Sequence, residues 1–369
     1  MKAIQWIISA LVAVVIIAAA VGGGVYFTRL KSIHSIRKLT DYEDYNLYRM
    51  DIDYAYDLDR LIDRGITDNQ SMINAILAEA LPYLPIHMKA PNFGCSAFCT
   101  QGTDGHTLMG RNYDFKNDTS AMLVYCTPKD GYASVAFAAL DNINANTPDA
   151  SMAKKLATLT APFICLDGMN EKGVSIAVLT LDSYPTSQQT GKPMIATTLA
   201  IRLVLDRAAT TAEAVELLSK YDMFASSGRD YHFYITDASG DGRVLEYDCN
   251  DPARPLTATP SRSVTNFFVM YKDNVLPNQR NGVYGHGRER YDAIEEILDA
   301  NAGSIDREIA WQALQAASQA PNPQDVTSNT QWSILYDNTA LTAEAVIRRD
   351  WNTKTSYDLV SSVAVTDVG

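Results

Sequence analysis

The sequence predicts an α+β fold in which layers of short antiparallel strands pack against helices. Three observations support this: β-rich runs are separated by turn residues, helical segments interrupt those runs, and no repeat or low-complexity linker divides the chain. Helices inserted between runs of strands favour a layered architecture over a parallel βαβ array. The chain has 369 residues and is 47% hydrophobic, so it can bury a large core. We therefore predict one folded domain preceded by an N-terminal extension.

The predicted strands begin at Cys95. A turn at 103–105 joins two β-rich runs, 95–100 and 107–112, and predicts a hairpin. The remaining segments follow from hydrophobic periodicity and capping residues, and Thr211 is the expected N-cap of the third helix. Further strands are predicted at 122–126, 133–139, 173–181, 231–237, 243–247, 331–336, 344–348 and 356–360, and helices at 69–80, 194–209, 211–221 and 288–300.

The N-terminus departs from this globular pattern. Residues 4–27 form an uncharged apolar run that is long enough to span a bilayer. A cleaved signal peptide with its small-residue site at 18–20 is the alternative, and a buried helix is the third. We predict a transmembrane anchor or signal peptide over 1–30, with the folded body extracytoplasmic or secreted. The basic residues that follow the run would favour the opposite orientation.

Composition excludes several classes of function. The net charge of -12 argues against a nucleic-acid partner, because phosphate binding needs clustered Lys and Arg. Five scattered cysteines do not form a disulfide framework, and an odd number leaves at least one thiol free. Cys95 and Cys99 lack a second pair of ligands at zinc spacing, so we predict no metal site, and the chemistry expected of Cys95 implies no other cofactor.

The hairpin that starts at Cys95 carries the residues best suited to chemistry. Arg111 and Asp114 follow Cys95 by 16 and 19 residues and fall on the second strand. A neighbouring cation such as Arg111 stabilises a thiolate. If the Gly94–Cys95 bond is cleaved, the α-amine of Cys95 can act as general base without a histidine, and Asp114 can hold that amine. Taken alone, Cys95 would be read as a buried structural cysteine.

The residues Gly94-Cys95 and Arg111-Asn112-Tyr113-Asp114 give this hairpin a resemblance to a known family. It is similar to the start of the mature chain in the choloylglycine hydrolase and penicillin V acylase superfamily of N-terminal-nucleophile (Ntn) hydrolases, which cleave linear amides. The resemblance implies a four-layer αββα sandwich over 95–369. In layout the chain is closest to the self-processing acyltransferase and acid ceramidase types, so 31–94 is expected to be a helical propeptide that resembles their α-subunit.

Two further stretches agree with the resemblance. Residues 167–173 are similar to the family's turn before a strand, and Asn170 in this turn and Thr180 on the strand are therefore further candidates for oxyanion or substrate contacts. The bile-salt enzymes carry an asparagine where this chain has Thr180. Val264-Thr265-Asn266-Phe267 resembles a Thr-Asn element, which implies that the Asn266 side chain donates a hydrogen bond to the oxyanion.

A second active-site arginine is implied by residues 287–291, which are similar to the start of a late helix in the family. Arg288 is the expected active-site residue, and Arg290 is the alternative because several arginines in one segment allow the alignment to slip.

The resemblance implies a cysteine hydrolase that self-cleaves at Gly94–Cys95 and then cleaves a small N-acyl amide through a Cys95 thioester. Three alternatives stay open: an acyltransferase that uses the same thioester, a papain-like protease, and a catalytically inactive membrane-tethered binding module. The substrate can be a bile salt, a penicillin, an N-acyl homoserine lactone, an N-acylethanolamine or a ceramide. We expect its pocket loops at 140–160, 184–192 and 222–230, and the sequence predicts no oligomeric state.

Overall fold

The computed structural model describes residues 23–82, 94–115, 118–280, 282–322, 324 and 328–359. Its helices are α1 (23–34), α2 (Leu58–Ile62), α3 (Asn69–Ala80), α4 (Met152–Ala157), α5 (Thr197–Arg207), α6 (Thr211–Leu218), α7 (Arg288–Ala300) and α8 (Arg307–Ala317). Short 3-10 helices lie at Leu140–Ile143, Pro148–Ala150, Thr158–Phe163, Ser226–Gly228 and Val269–Asn274.

The strands are β1 (Arg37–Lys38), β2 (Leu47–Ile52), β3 (Gly94–Gln101), β4 (Thr107–Asp114), β5 (Ala121–Cys126), β6 (Ser134–Ala139), β7 (Cys165–Asn170), β8 (Ser175–Leu181), β9 (Met194–Ala196), β10 (Asp222–Phe224), β11 (Asp230–Thr236), β12 (Gly242–Tyr247), β13 (Leu256–Pro260), β14 (Ser263–Val264), β15 (Thr330–Asp337), β16 (Thr342–Ile347) and β17 (Thr355–Asp358). Within the described ranges they form a nine-stranded sheet, ordered β1-β2-β5-β6-β7-β8-β11-β12-β13, and a six-stranded sheet, ordered β14-β3-β4-β15-β16-β17. A parallel pair, β9 and β10, stands apart.

The two large sheets face each other, because β3 of the smaller sheet contacts β8 of the larger one. Helices α5 and α6 pack against the larger sheet, while α7 and α8 pack against the smaller sheet. Every residue of β4 is buried, as expected for a strand covered on both faces. The β3–β4 hairpin therefore lies inside the molecule, between α8 and the nine-stranded sheet.

Several predicted elements are confirmed. The hairpin forms from β3 and β4, α7 spans the predicted 288–300, and α3 spans the predicted 69–80 with Asp68 as its N-cap. The N-cap of α6 is Thr210 and not the expected Thr211, because the Thr210 side chain accepts from the Glu213 amide while Thr211 is buried. The sequence analysis missed α8, although Asp306 caps it and its apolar residues recur at helical spacing.

The described part of 31–94, which was expected to be a helical propeptide, is not helical throughout. The extension contains α2 and α3, but residues 47–52 form β2, which pairs in parallel with β5 inside the nine-stranded sheet. Burial alternates along most of β2, which is the period of a strand with one buried face. The extension is therefore part of the core sheet and does not merely cover it.

The expected anchor or signal segment lies mostly outside the described residues, which begin at 23. From there α1 runs to residue 34, and the guanidinium of its Arg29 donates to the carbonyls of Glu79 and Ala80 at the end of α3. In the ranges that the structure describes, no helix is long and apolar enough to cross a membrane.

The turn between β7 and β8 generates a stability prediction. Gly173 has φ of 74°, and a Cβ there would lie 2.1 Å from the Asn338 carbonyl oxygen. Gly191 also has positive φ, 92°, but a Cβ there would have no described atom within 4 Å. Gly191→Ala should cost roughly 1–2 kcal/mol from the left-handed backbone alone. Gly173→Ala should cost about 1–3 kcal/mol more, because the clash adds to that strain. Denaturant unfolding of both variants measures the difference, and equal losses would contradict it.

Candidate active site

Cys95 is completely buried near the start of β3, where the hairpin register sets it opposite Tyr113 and sets Gly94 opposite Asp114. The backbone nitrogen of Cys95 donates to the side-chain oxygen of Asn266 at 2.9 Å. Cleavage of the Gly94–Cys95 bond would turn that nitrogen into an α-amine. The group that the sequence assigns as general base is thus already held by a specific partner.

The orientation of Asn266 follows from its neighbours. Its Oδ1 accepts from the Cys95 amide and from Arg290 Nη2 at 2.8 Å, and both of these groups are donors. Its Nδ2 donates to the carbonyl and hydroxyl oxygens of Thr180 at 2.9 and 3.2 Å. Reversing the carboxamide would bring donors against donors, so these contacts fix it. The nitrogen expected to serve the oxyanion is therefore used by Thr180 in the uncleaved chain.

The structure brings Arg290, the alternative, and not the expected Arg288, beside Cys95. Arg290 Nη1 donates to the Cys95 carbonyl at 2.9 Å and lies 3.5 Å from the Asp114 carboxylate. Arg288 instead pairs with Asp292 and donates to the Lys272 carbonyl at a partly exposed position. Two residues along an α-helix are about 200° apart in rotation, so the two arginines leave α7 on different sides. Arg290 shares its buried side with Ile294 and Leu298.

Arg111 lies fully buried on β4 and makes an ion pair with Asp167, Nε to Oδ2, at 2.8 Å. Its Nη2 donates to the Val178 carbonyl of β8, so this side chain connects the two sheets. Asp167 also accepts from the Tyr336 hydroxyl and the Trp332 indole nitrogen, at 2.6 and 3.2 Å. Burial raises the pKa of Asp167, and Arg111 opposes that rise.

Asp114 contacts other partners than the expected amine. Its two carboxylate oxygens accept from the Thr330 hydroxyl at 2.6 Å and from Gln319 Nε2 at 2.7 Å. Burial raises its pKa, while the nearby Arg290 guanidinium lowers it. The Cys95 nitrogen donates to Asn266 instead. Asp114 lies near Arg290, which in turn donates to Asn266. The sequence analysis missed Thr330 and Gln319, since they belong to no motif.

Burial dominates the ionisation of the Cys95 thiol in the intact chain. Desolvation raises its pKa to about 11, although Arg111 and the Asp114 backbone amide act to lower that pKa. The expected influence of Arg111 is therefore present but is outweighed while the site is closed. Opening the site to water would remove the desolvation and leave the influence of Arg111.

Asn170 does not join this site. Its Nδ2 donates to the carbonyls of Leu205 and Ala208, and its Oδ1 accepts from the backbone amides of the turn before β8. That turn and Thr180 are at opposite ends of β8, roughly 17 Å apart along the strand. Asn170 is thus a residue of the turn, whereas Thr180 contacts Asn266.

Two clefts border this region among the described residues. One, of about 310 Å³, is lined by Arg290, Gln319 and His286 together with other polar residues. The other, of about 760 Å³, is lined in part by Asp182, Tyr184 and neighbours from the loops at 184–192 and 222–230. None of its described lining residues comes from 140–160. In the part of the chain that the structure describes, no cluster of His, Cys, Asp or Glu could hold a metal ion.

Comparison with known proteins bears on the predicted resemblance. Residues 95–251 match the model of the linear amide C-N hydrolases, choloylglycine hydrolase family. The predicted resemblance is confirmed over these residues, and the match supports a hydrolase that acts on the carbon–nitrogen bonds of linear amides.

Solved structures support the same fold. Two variants of conjugated bile acid hydrolase from Clostridium perfringens share 15% and 16% identity with this chain, with TM-scores of 0.53 and 0.52, and the match covers 72% of this chain and 93% of each of those. Penicillin V acylase from Agrobacterium tumefaciens shares 18% identity over 71% of this chain and 84% of its own, with a TM-score of 0.50.

The buried thiol generates a prediction about reactivity. In the chain with an intact Gly94–Cys95 bond, iodoacetamide should react slowly with Cys95 near neutral pH, because the thiolate is the nucleophile and a pKa of about 11 leaves little of it. The partly exposed Cys249 is the internal control. Mass mapping of alkylated peptides should show Cys249 modified first, with the rate at Cys95 still rising above pH 8. Equal rates at the two thiols near neutral pH would contradict this.

Proposed function

We propose that the chain is a cysteine Ntn hydrolase with an αββα sandwich, and that Cys95 is its nucleophile. The observation that carries the proposal is the hydrogen bond from the Cys95 nitrogen to Asn266, with Arg290 on the same carboxamide. Any buried backbone amide needs a hydrogen-bond partner, but here the partner is a side chain that Arg290 also contacts, and not the carbonyl of a neighbouring strand. The arrangement is suited to a nitrogen that becomes the catalytic amine.

The proposed self-cleavage precedes hydrolysis. The thiol of Cys95 attacks the Gly94 carbonyl carbon, the peptide C–N bond breaks, and a thioester forms while the nitrogen takes up the thiol proton and becomes a free α-amine. Water then hydrolyses that thioester, which releases the Gly94 carboxylate and regenerates the Cys95 thiol. Because β2 is paired within the nine-stranded sheet, the released extension would stay bound.

In the proposed amide hydrolysis, the free amine takes the thiol proton and the thiolate attacks the carbonyl carbon of the substrate. The amine of the substrate leaves with that proton, and the acyl group remains as a thioester on Cys95. Water, deprotonated by the α-amine, then releases the carboxylic acid. Asn266 Oδ1 would orient the amine, Arg290 would fix Asn266, and Arg111 would favour the thiolate.

The bile acid hydrolase structures offer indirect support. The two Clostridium perfringens proteins are variants at a cysteine and at an arginine sixteen residues after it. Cys95 and Arg111 are separated by the same interval.

We further propose that residues 4–27 anchor the chain in a membrane or export it, which would place the catalytic domain outside the cytoplasm. The support is the length of the uncharged apolar run. A lipid-like N-acyl amide is then the favoured class of substrate.

Matched arginine variants test the hydrolase. Arg290→Gln should lower kcat/KM for N-acyl amides on the order of 100-fold, because Asn266 and the Cys95 carbonyl lose their shared donor. Arg288→Gln should change it by about twofold or less, since its pair with Asp292 is partly exposed. Release of carboxylic acid from a panel of N-acyl amides with varied acyl and amine groups gives the readout. Full activity in Cys95→Ala, or equal losses in the two arginine variants, would refute the assignment.

A further inference from the structure

Two buried ionisable residues, His232 and Glu246, lie beside the segment that carries Asn266. Both side chains are completely buried, and they meet between the neighbouring strands β11 and β12, His232 Nδ1 to Glu246 Oε1, at 3.1 Å. The mechanism proposed above uses neither of them. Burying two ionisable groups carries a desolvation cost that favours a specific role or a fully satisfied set of contacts.

The pair contacts the backbone on both sides of Asn266. His232 Nε2 lies 2.9 Å from the carbonyl oxygen of Thr265, the preceding residue. Glu246 accepts from the backbone amides of Val269 and Met270, at 2.6 and 3.0 Å, just after it. One pair of side chains on the nine-stranded sheet, His232 and Glu246, therefore contacts the segment 265–270 at both of its ends.

The hydrogen-bond partners of His232 and Glu246 indicate the charge of this pair. The Thr265 carbonyl can only accept, and the Glu246 carboxylate already accepts two backbone amides. Both ring nitrogens of His232 thus face acceptors. The two amides that Glu246 accepts favour its ionised form. Beside a carboxylate, a neutral imidazole has one N–H and would leave one of these contacts unmade, whereas an imidazolium has two and satisfies both. An imidazolium paired with a carboxylate leaves no contact of the pair unmatched.

We propose that His232, as an imidazolium paired with Glu246, is a positioning residue that holds Thr265 and thereby fixes Asn266 against the nitrogen of Cys95. This rests on the proposed function. Asn266 must keep its oxygen toward Cys95 and Arg290 while its nitrogen faces Thr180. A displacement of about 1 Å would break that arrangement, and such errors can cost on the order of 100-fold in rate.

Two substitutions of His232 separate its contacts. In His232→Gln the amide nitrogen falls near the position of Nε2 and can still donate to the Thr265 carbonyl. In His232→Asn it falls near Nδ1, which keeps the contact with Glu246 and loses Thr265. Tyr54→Phe is the control, because it removes another buried hydrogen bond to a backbone carbonyl, that of Leu159 at 2.5 Å.

The kinetic result expected is a split between the two variants. His232→Asn should lower kcat at least about tenfold with KM changed by no more than about threefold, since positioning acts on the reaction step. His232→Gln should keep kcat within about threefold of the wild type, and Tyr54→Phe should do the same. Equal losses in the two His232 variants, or an equal loss in Tyr54→Phe, would reduce His232 to an ordinary stabilising residue and overturn the proposal.

A second measurement needs no turnover and uses a substituted His232 only to assign the signals. The full chain carrying Cys95→Ala is labelled with ¹⁵N-histidine, and the His232 signals are assigned by their loss on adding His232→Gln. Ring-nitrogen shifts of an imidazolium at neutral pH are expected, and a neutral ring would overturn the proposal. If wild type cleaves no N-acyl amide, the proposed function fails and the positioning role falls with it. If wild type is active while His232 is neutral, only the positioning role fails.

Discussion

The hydrogen bond between the Cys95 nitrogen and the Asn266 side chain lies where the two large sheets and α7 meet. Cys95 belongs to the six-stranded sheet, Thr180 on the other side of Asn266 belongs to the nine-stranded sheet, and Arg290 comes from α7. One carboxamide thus ties both sheets and a helix to the nitrogen that the proposed cleavage would free. The sheets must stay in register for this contact to exist, so the fold and the site depend on each other.

This constraint explains why so much charge is buried around one thiol. Arg111 pairs with Asp167, and Arg290 lies near Asp114, all with little or no exposure. A buried charge without a partner would carry a large desolvation cost, so each of the two arginines requires an acidic partner. The closed, dry setting keeps the Cys95 thiol protonated in the intact chain. Opening of the site to water after the proposed cleavage would then raise the fraction of Cys95 that is thiolate.

Sequence reasoning predicted what depends on local spacing. The hairpin, with Cys95 on one strand and Arg111 and Asp114 on the other, follows from a turn and two β-rich runs. The sequence favoured Arg288 over Arg290, because it does not show which side of α7 faces β3. β2 was missed as well. Apolar and charged residues alternate over 48–52, but this short run lies in an acidic, tyrosine-rich stretch, and its parallel pairing with a distant segment is not visible in the sequence.

Intact-mass and N-terminal analysis of the purified full-length protein, beside Cys95→Ala, tests the central claim most directly. We predict a fragment of the wild type that begins at Cys95 and remains associated with the extension, and an uncleaved chain for Cys95→Ala. A wild-type chain that is folded, hydrolyses N-acyl amides and keeps its Gly94–Cys95 bond would contradict the account, since the Cys95 nitrogen could not then act as a base.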